Sequence, residues 1–275
     1  MAAEWEARMD GASMNGAVQD ATAHPPVAGF RARLRFGRRL ATLVLCLLVA
    51  VPPHLLYRLF VRRPRGVTSP MVPWFLRMGT RAMGARVKVE GTPMRHHALI
   101  LSNHLSWLDI LALGGVSGCA FVSKDDVAKW PVVGWLARQN NTIFVARSQR
   151  GKVGDQLAAL REALTRDQPV AIFPEGTTGD GVELGAFKSA LLAVLDQPPR
   201  ALHVQPVVID YGDAQGDVAW PHGEGAKANF IRILSRPGTI TATIRYLPSF
   251  DPGAHSHRKE IAAEARRRIL AAQAG

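Results

Sequence analysis

Residues 98–113 read ALILSNHLSWLDILAL. Ala98 to Leu101 form a short apolar strand, and Ile110 to Leu113 an apolar helical run. Between them sit Ser102, Asn103, His104, Ser106, Trp107 and Asp109. A strand end that passes into a helix start is where α/β folds commonly place chemistry, because side chains there face a crevice. His104 and Asp109 are five residues apart. On one continuous helix that offset would set them about 140° apart, and they would not meet. They meet only if His104 occupies the turn before the helix and Asp109 points back from its first turn. The carboxylate then accepts one imidazole N–H and fixes the tautomer. The other nitrogen is left to take a proton from a hydroxyl. The same residues also suit a plain helix N-terminus, with Ser102 or Asn103 as cap and Asp109 solvated. His255 and Glu260 repeat the spacing in a polar stretch, so spacing alone does not choose.

Outward from this block the sequence alternates strand and helix. Strand expectations are Val87 to Glu90, Ala98 to Leu101, Ala120 to Ser123, Thr142 to Ala146, Val170 to Phe173, Val204 to Asp210 and Thr239 to Tyr246. Helix expectations are Trp107 to Leu113, Asp125 to Arg138, Lys152 to Arg166, Ala186 to Leu195, Ala226 to Leu234 and His257 to Ala272. This alternation predicts an α/β fold: a mixed, largely parallel sheet covered by helices. A chain of 275 residues suffices for one such domain with a full core.

A second signal is VAIFPEGTTGDGVELGAFKS, residues 170–189. Pro174 stops the strand, and Gly176 lets the backbone turn and approach a ligand closely. Successive N–H groups with the hydroxyls of Thr177 and Thr178 make an anion cradle. Glu175 only accepts hydrogen bonds, so it reads as a holder of a sugar or glycerol hydroxyl, or of a neighbouring cation. A polar turn of ordinary loop residues would read alike. A third piece, TIFVARSQR at 142–150, sets Arg147 at a strand end, on the side of His104 and Glu175. Its guanidinium suits bidentate phosphate binding.

The N-terminal region is different in kind. Residues 1–29 lack a clear period and read as a disordered tail. Residues 30–85 read as a membrane-anchoring helical segment. RARLRFGRRL at 31–40 is strongly basic, and Leu40 to Val51 is an apolar run of twelve residues. A Pro52-Pro53-His54 break follows, then Leu55 to Val61, then Arg62, Arg63 and Arg65. The run is shorter than the roughly 20 residues of a span, and both flanks are basic. An anchor lying in or dipping into one leaflet explains both facts. A signal peptide and a buried core helix are the alternatives. Pro70 to Val89 interleaves Trp74, Phe75, Leu76 and Met78 with Arg77, Arg81 and Arg86. It suits a membrane surface or packing onto the core. Residues 86–275 then form the α/β domain that carries the blocks above.

The 34 Lys and Arg exceed the 22 Asp and Glu by +12, an excess that attracts nucleic acid, anionic lipid or an acidic carrier protein. There is no aromatic-interleaved basic stripe, helix-turn-helix or zinc pattern, and the arginines sit beside apolar segments. These features favour an anionic membrane as partner and argue against nucleic acid. Cys46 and Cys119 read as small buried hydrophobes rather than a disulfide framework or metal cluster. No G-x-S-x-G elbow, P-loop or G-x-G-x-x-G is present.

Four blocks occur in order: Asn103-His104-x4-Asp109; Phe144-Val145-Ala146-Arg147; Phe173-Pro174-Glu175-Gly176-Thr177; and Val204-Gln205-Pro206-Val207-Val208. Together they resemble the glycerolipid acyltransferases over roughly residues 80–250. The resemblance implies His104 as general base, with Asp109 as its orienting partner. It also implies Arg147, Glu175, Gly176 and Thr177 as lining of the acyl-acceptor site. Ala146 stands where the family often has Asp. The implied reaction moves a fatty acyl group from a thioester to the free hydroxyl of a lysophospholipid. It requires no metal and no cofactor, with acyl-CoA or acyl carrier protein as donor substrate. Lysophosphatidate is the first acceptor, lyso-ornithine lipid the alternative, and a non-catalytic membrane-binding protein the third reading. The implied location is the cytoplasmic face of a membrane, the inner one in a bacterium.

Overall fold

The computed structural model describes residues 29–61, 68–145 and 153–274. The basic segment and the apolar run form one helix, α1 (Phe30–Phe60). Helix α2 (Met71–Ala82) follows, then β1 (Ala85–Glu90), β2 (Ala98–Ser102) and α3 (Leu108–Ser117). Next come β3 (Ala120–Lys124), α4 (Pro131–Gln139), β4 (Ile143–Val145), α5 (Val153–Leu164) and β5 (Val170–Ile172). The chain continues through β6 (His203–Asp210), a single turn α6 (Gln215–Val218), α7 (Ala226–Ser235), β7 (Ile240–Tyr246) and α8 (Arg258–Gln273).

The seven strands order as β1-β7-β6-β2-β5-β3-β4. Each neighbouring pair is parallel except β6 with β7. The expected mixed, largely parallel sheet is therefore the one observed. β2 lies near its middle, and all five of its residues are buried, as a strand covered on both faces requires. The C-terminal ends of β6, β2 and β5 stand side by side, so the segments that leave them share one crevice.

Three local expectations are corrected. Pro52 and Pro53 do not break α1, although each removes a helical N–H. Ala50 and His54, on either side of them, are both buried and hold the helix to the body. The stretch Asp125 to Arg138 splits into a 3-10 turn, Asp125–Lys129, and α4. Pro131 can occupy only the first turn of a helix and forces Trp130 to be extended. Residues 186–190 are not helical; only Leu191–Leu195 form a 3-10 turn. There the Lys188 N–H donates to the Pro174 carbonyl, 2.8 Å away, so the backbone serves a loop contact instead. Of the two readings of Pro70 to Val89, packing onto the core is the one α2 follows: its apolar Val72, Phe75, Leu76 and Ala82 are buried.

Helix α1 has two kinds of surface. Phe36, Leu40, Leu43, Cys46 and Leu47 pack towards the body. Leu45, Leu48, Val49, Leu55, Leu56, Leu59 and Phe60 are exposed. With mean hydropathy 2.0 in its most apolar window, it is long and apolar enough to cross a membrane. Its N-terminal half is clamped to α7. Arg35 Nε donates to the Ser235 carbonyl (2.9 Å), and buried Arg39 donates to the carbonyls of Ile233 (3.0 Å), Leu234 (3.2 Å) and Gly238 (2.9 Å). A cation at these C-terminal carbonyls satisfies orphan acceptors and opposes the negative end of the helix dipole. Gly84, at φ +79°, leaves room for the Arg39 guanidinium, which a side chain would strike at 2.2 Å. The proposed tail 1–29, apart from Gly29, and the Arg62 to Arg65 cluster lie outside the described residues.

Helix α2 in turn seats α3. A Cβ on Gly115 would lie 2.8 Å from the Arg77 amide nitrogen and 3.0 Å from its Cα. Gly115→Ala must therefore push two helix backbones apart. It is expected to lower stability by about 1–3 kcal/mol, read as a fall in the midpoint of thermal unfolding. Gly154→Ala, where a Cβ meets nothing within 4 Å, is the control.

Candidate active site

The turn between β2 and α3 is built from side chains that hold backbone. At the end of β2, buried Asn103 acts as a strand in miniature. Its Nδ2 donates to the Ile209 carbonyl and its Oδ1 accepts from the Ile209 amide, both at 2.8 Å, tying the turn to β6. Asp109, in the first turn of α3, points back over the helix start. Its Oδ2 accepts from the amides of Leu105 (2.7 Å) and Ser106 (2.9 Å) and from His104 Nδ1 (2.8 Å). This is the backward reach by which an acid in a first turn satisfies orphan donors. His104 lies before the helix and Asp109 inside it, the one arrangement in which this spacing brings them together.

Asp109 is fully buried, while the His104 side chain keeps 18% of its surface exposed. With Nδ1 donating to the carboxylate, Nε2 is the acceptor nitrogen. The ring stacks on Phe173, at the end of β5, with centroids 4.0 Å apart and planes 14° from parallel. The ring thus has a carboxylate behind it, an aromatic face beside it and one acceptor nitrogen in front, an arrangement able to take up a proton.

The Pro174 to Gly185 loop closes against this turn. Both oxygens of Glu175 accept backbone N–H groups: Oε1 from His104 (2.8 Å) and Oε2 from Gly185 (2.9 Å). Burial raises its carboxyl above the ordinary range, partly offset by these two amides. Its partners here are backbone, where the sequence pointed to a ligand hydroxyl or cation. Gly176 turns at φ +78°, which only glycine adopts without strain. Thr177 follows it and is exposed. Gly179 N donates to the His104 carbonyl (2.9 Å), and Thr178 Oγ1 to the Trp220 carbonyl (2.7 Å), while Trp220 N donates to the Leu105 carbonyl (2.7 Å). Three loops are thus stitched around His104. Arg147 lies outside the described residues; β4, which precedes it, is the outermost strand on that side of the sheet.

Sequence reasoning passed over Tyr211. Its hydroxyl, carried just beyond β6, donates to Asp109 Oδ1 at 2.6 Å and is fully buried. It lies over a hundred residues from its partner and in no short motif, so only the strand order brings the two together. His255 and Glu260, with the same spacing as the dyad, are differently employed: Glu260 accepts from Ser256 N and faces His257. A cavity of about 500 Å³ lined by Asp196, His203, Asp251 and His255 opens at the start of β6, the end of the sheet opposite His104. Cys119 is buried and its thiol pushed up to about 12, which leaves it unreactive. Among the described residues, no three His, Cys, Asp or Glu side chains gather as a metal site would require.

Glu175→Gln keeps the volume but sets an NH2 group against one of two buried N–H groups. It should cost about 1–3 kcal/mol of stability. Thermal unfolding measures this, with Glu183→Gln in the same loop as the control.

The profile of the acyltransferase family matches residues 86–210. The lyso-ornithine lipid O-acyltransferase of Rhodobacter capsulatus is 32% identical, covering 87% of this chain and 89% of its own. The 1-acyl-sn-glycerol-3-phosphate acyltransferase of Neisseria gonorrhoeae is 35% identical over 46% of this chain and 50% of its own. Among solved structures, the 1-acyl-sn-glycerophosphate acyltransferase PlsC of Thermotoga maritima shares the fold, with TM-score 0.60 and 21% identity over 86% of this chain and 94% of that one.

Proposed function

Because the chain belongs to the acyltransferase family, we propose that it is a membrane-associated O-acyltransferase in which His104 and Asp109 carry the proton transfers. The observation behind this reading is the His104–Asp109 contact at 2.8 Å, with Nε2 left as acceptor. In the proposed step, His104 Nε2 takes the proton of the acceptor hydroxyl as its oxygen attacks the thioester carbonyl. The tetrahedral oxyanion collapses and expels the thiolate, which takes the proton back from the imidazolium. Asp109 holds the tautomer and stabilises the imidazolium between the two transfers. Gly176, Thr177 and Arg147 are assigned to the acceptor's side of the crevice. Glu175 supports that side through the His104 backbone. The donor is an acyl thioester of coenzyme A or of acyl carrier protein, both acidic partners for a chain of charge +12.

For the acceptor, lyso-ornithine lipid is proposed first. The Rhodobacter relative of that name aligns along most of both chains. In addition, the loop from Pro174 to Phe187 contains Glu175, Asp180 and Glu183 and no Lys or Arg. The ornithine headgroup carries an ammonium as well as a carboxylate, and an acidic loop suits the ammonium. Lysophosphatidate is the second reading, supported by the Neisseria relative and by the suitability of Arg147 for phosphate.

His104→Ala should lower turnover about 10²- to 10⁴-fold in a protein that still unfolds cooperatively, and Asp109→Asn should follow it. Near-normal turnover in folded His104→Ala protein ends the base assignment. Incubating the purified enzyme with one labelled acyl donor and either lyso-ornithine lipid or lysophosphatidate distinguishes the two acceptors. The larger kcat/KM is expected for lyso-ornithine lipid.

The membrane assignment rests on the exposed apolar face of α1. Trp130, Val132 and Val133 add a second exposed apolar patch at the start of α4, whose Gln139 accepts from His54 (3.0 Å) and Arg58 (2.6 Å) of α1. The proposed location is the cytoplasmic face of the bilayer, where both candidate donors are found. Fractionation tests the membrane assignment. The protein should stay with membranes in high salt and leave them in detergent, and recovery in the soluble fraction without detergent overturns it.

A further inference from the structure

Asp109 Oδ2 is fully occupied by His104 and two backbone amides, so the orientation of the carboxylate is decided at its other oxygen. There the donor is Tyr211, whose Oη lies 2.6 Å from Oδ1 with both side chains buried. Tyr211 follows β6, whereas His104 and Asp109 follow β2, and the two strands are paired in parallel from Ala98↔His203 to Ser102↔Val207. The same pair of strand ends is cross-linked by Asn103 and Ile209. The phenol therefore approaches from a fixed frame rather than from a loop free to yield.

We propose that Tyr211 is a positioning residue for acyl transfer. It fixes the rotation of the Asp109 carboxylate and draws charge towards Oδ1, and so governs how strongly Oδ2 holds the imidazole of His104. This rests on His104 being the base. The phenol itself is kept well above its ordinary pKa, by burial first and then by the charge of Asp109, so it remains a donor wherever the enzyme works. Among the described residues, the other ionisable group held against the dyad is Glu175, on the loop after β5, which meets the His104 backbone. A charge-assisted bond of this length between two buried side chains is among the strong ones.

The test is Tyr211→Phe, which keeps the ring and removes only the donor. Without it, more negative charge rests on Oδ2 and the imidazolium is favoured. The acidic limb of the kcat–pH profile should move to higher pH, and kcat at its optimum should fall about ten- to a hundredfold. KM for the acceptor should change little. Tyr246→Phe, at the second buried tyrosine of the core, should leave both unchanged. The chain has three tyrosines. In a Tyr57→Phe, Tyr246→Phe background, biosynthetic fluorotyrosine therefore replaces Tyr211 alone and strengthens the donor. The acidic limb should then move to lower pH, and this arm decides the matter if Tyr211→Phe fails to fold. Profiles that superimpose on the parent, or a change confined to KM, overturn the proposal while leaving the base assignment intact. An active, folded His104→Ala protein overturns both.

Discussion

A carboxylate with no access to water cannot remain charged unless donors surround it, and Asp109 is such a group. Its four donors come from the turn before α3, from the imidazole and from the residue beyond β6. None can move without leaving the charge short of a partner. The need to satisfy one buried anion thus fixes where α3 begins, how His104 is turned, and how far β6 extends past β2. Asn103 and Glu175 extend the same logic outward. Each uses a side chain to hold backbone of a second segment, so the reactive turn is braced from β6 on one side and from the β5 loop on the other. Such bracing is how a site keeps its geometry when its residues lie between secondary-structure elements.

The strands were legible because their signal is local: an apolar run of four to eight residues bounded by polar turn residues. All seven occur within a few residues of their expected bounds. The dyad was legible as a constraint, since five residues admit contact only across a helix start. Long-range chemistry was not legible. Tyr211 sits in the unremarkable string Asp210-Tyr211-Gly212, and its partner lies on the far side of a crossover. Glu175 was legible as a special residue but not in its contacts. An acceptor-only side chain in a glycine-rich loop reads as ligand-binding, whereas here the neighbouring backbone supplies both donors. The errors in the helices have the same origin. Lys188 carries a residue type that a helix would accept, and its amide was claimed by the Pro174 carbonyl instead.

The basic N-terminal region shows how one composition serves two purposes. Arg35 and Arg39 were read with their neighbours as a charged flank for lipid. In the fold they turn inward to the last carbonyls of α7 and to Gly238. Arg39 is almost entirely buried, and among the described residues no carboxylate pairs with it; the dipole of a helix end takes that place. Further along α1, Leu45, Leu48, Val49, Leu55, Leu56, Leu59 and Phe60 remain uncovered, so the helix is tied down by its basic end and leaves its apolar end exposed on one side.

That arginine clamp makes α1 and the catalytic body a single lever. Helix α1 is joined at one end to α7 and at the other to α4 through Gln139, while α2 packs between it and the helix that carries Asp109. With α1 seated in lipid, the height of His104 Nε2 above the acyl chains becomes a fixed dimension of the molecule, like the mark on a depth gauge. On the proposed mechanism, a lipid hydroxyl is then admitted by how far it stands from the hydrocarbon as much as by its headgroup. A bilayer whose thickness tilts α1 must tilt the reactive crevice by the same angle.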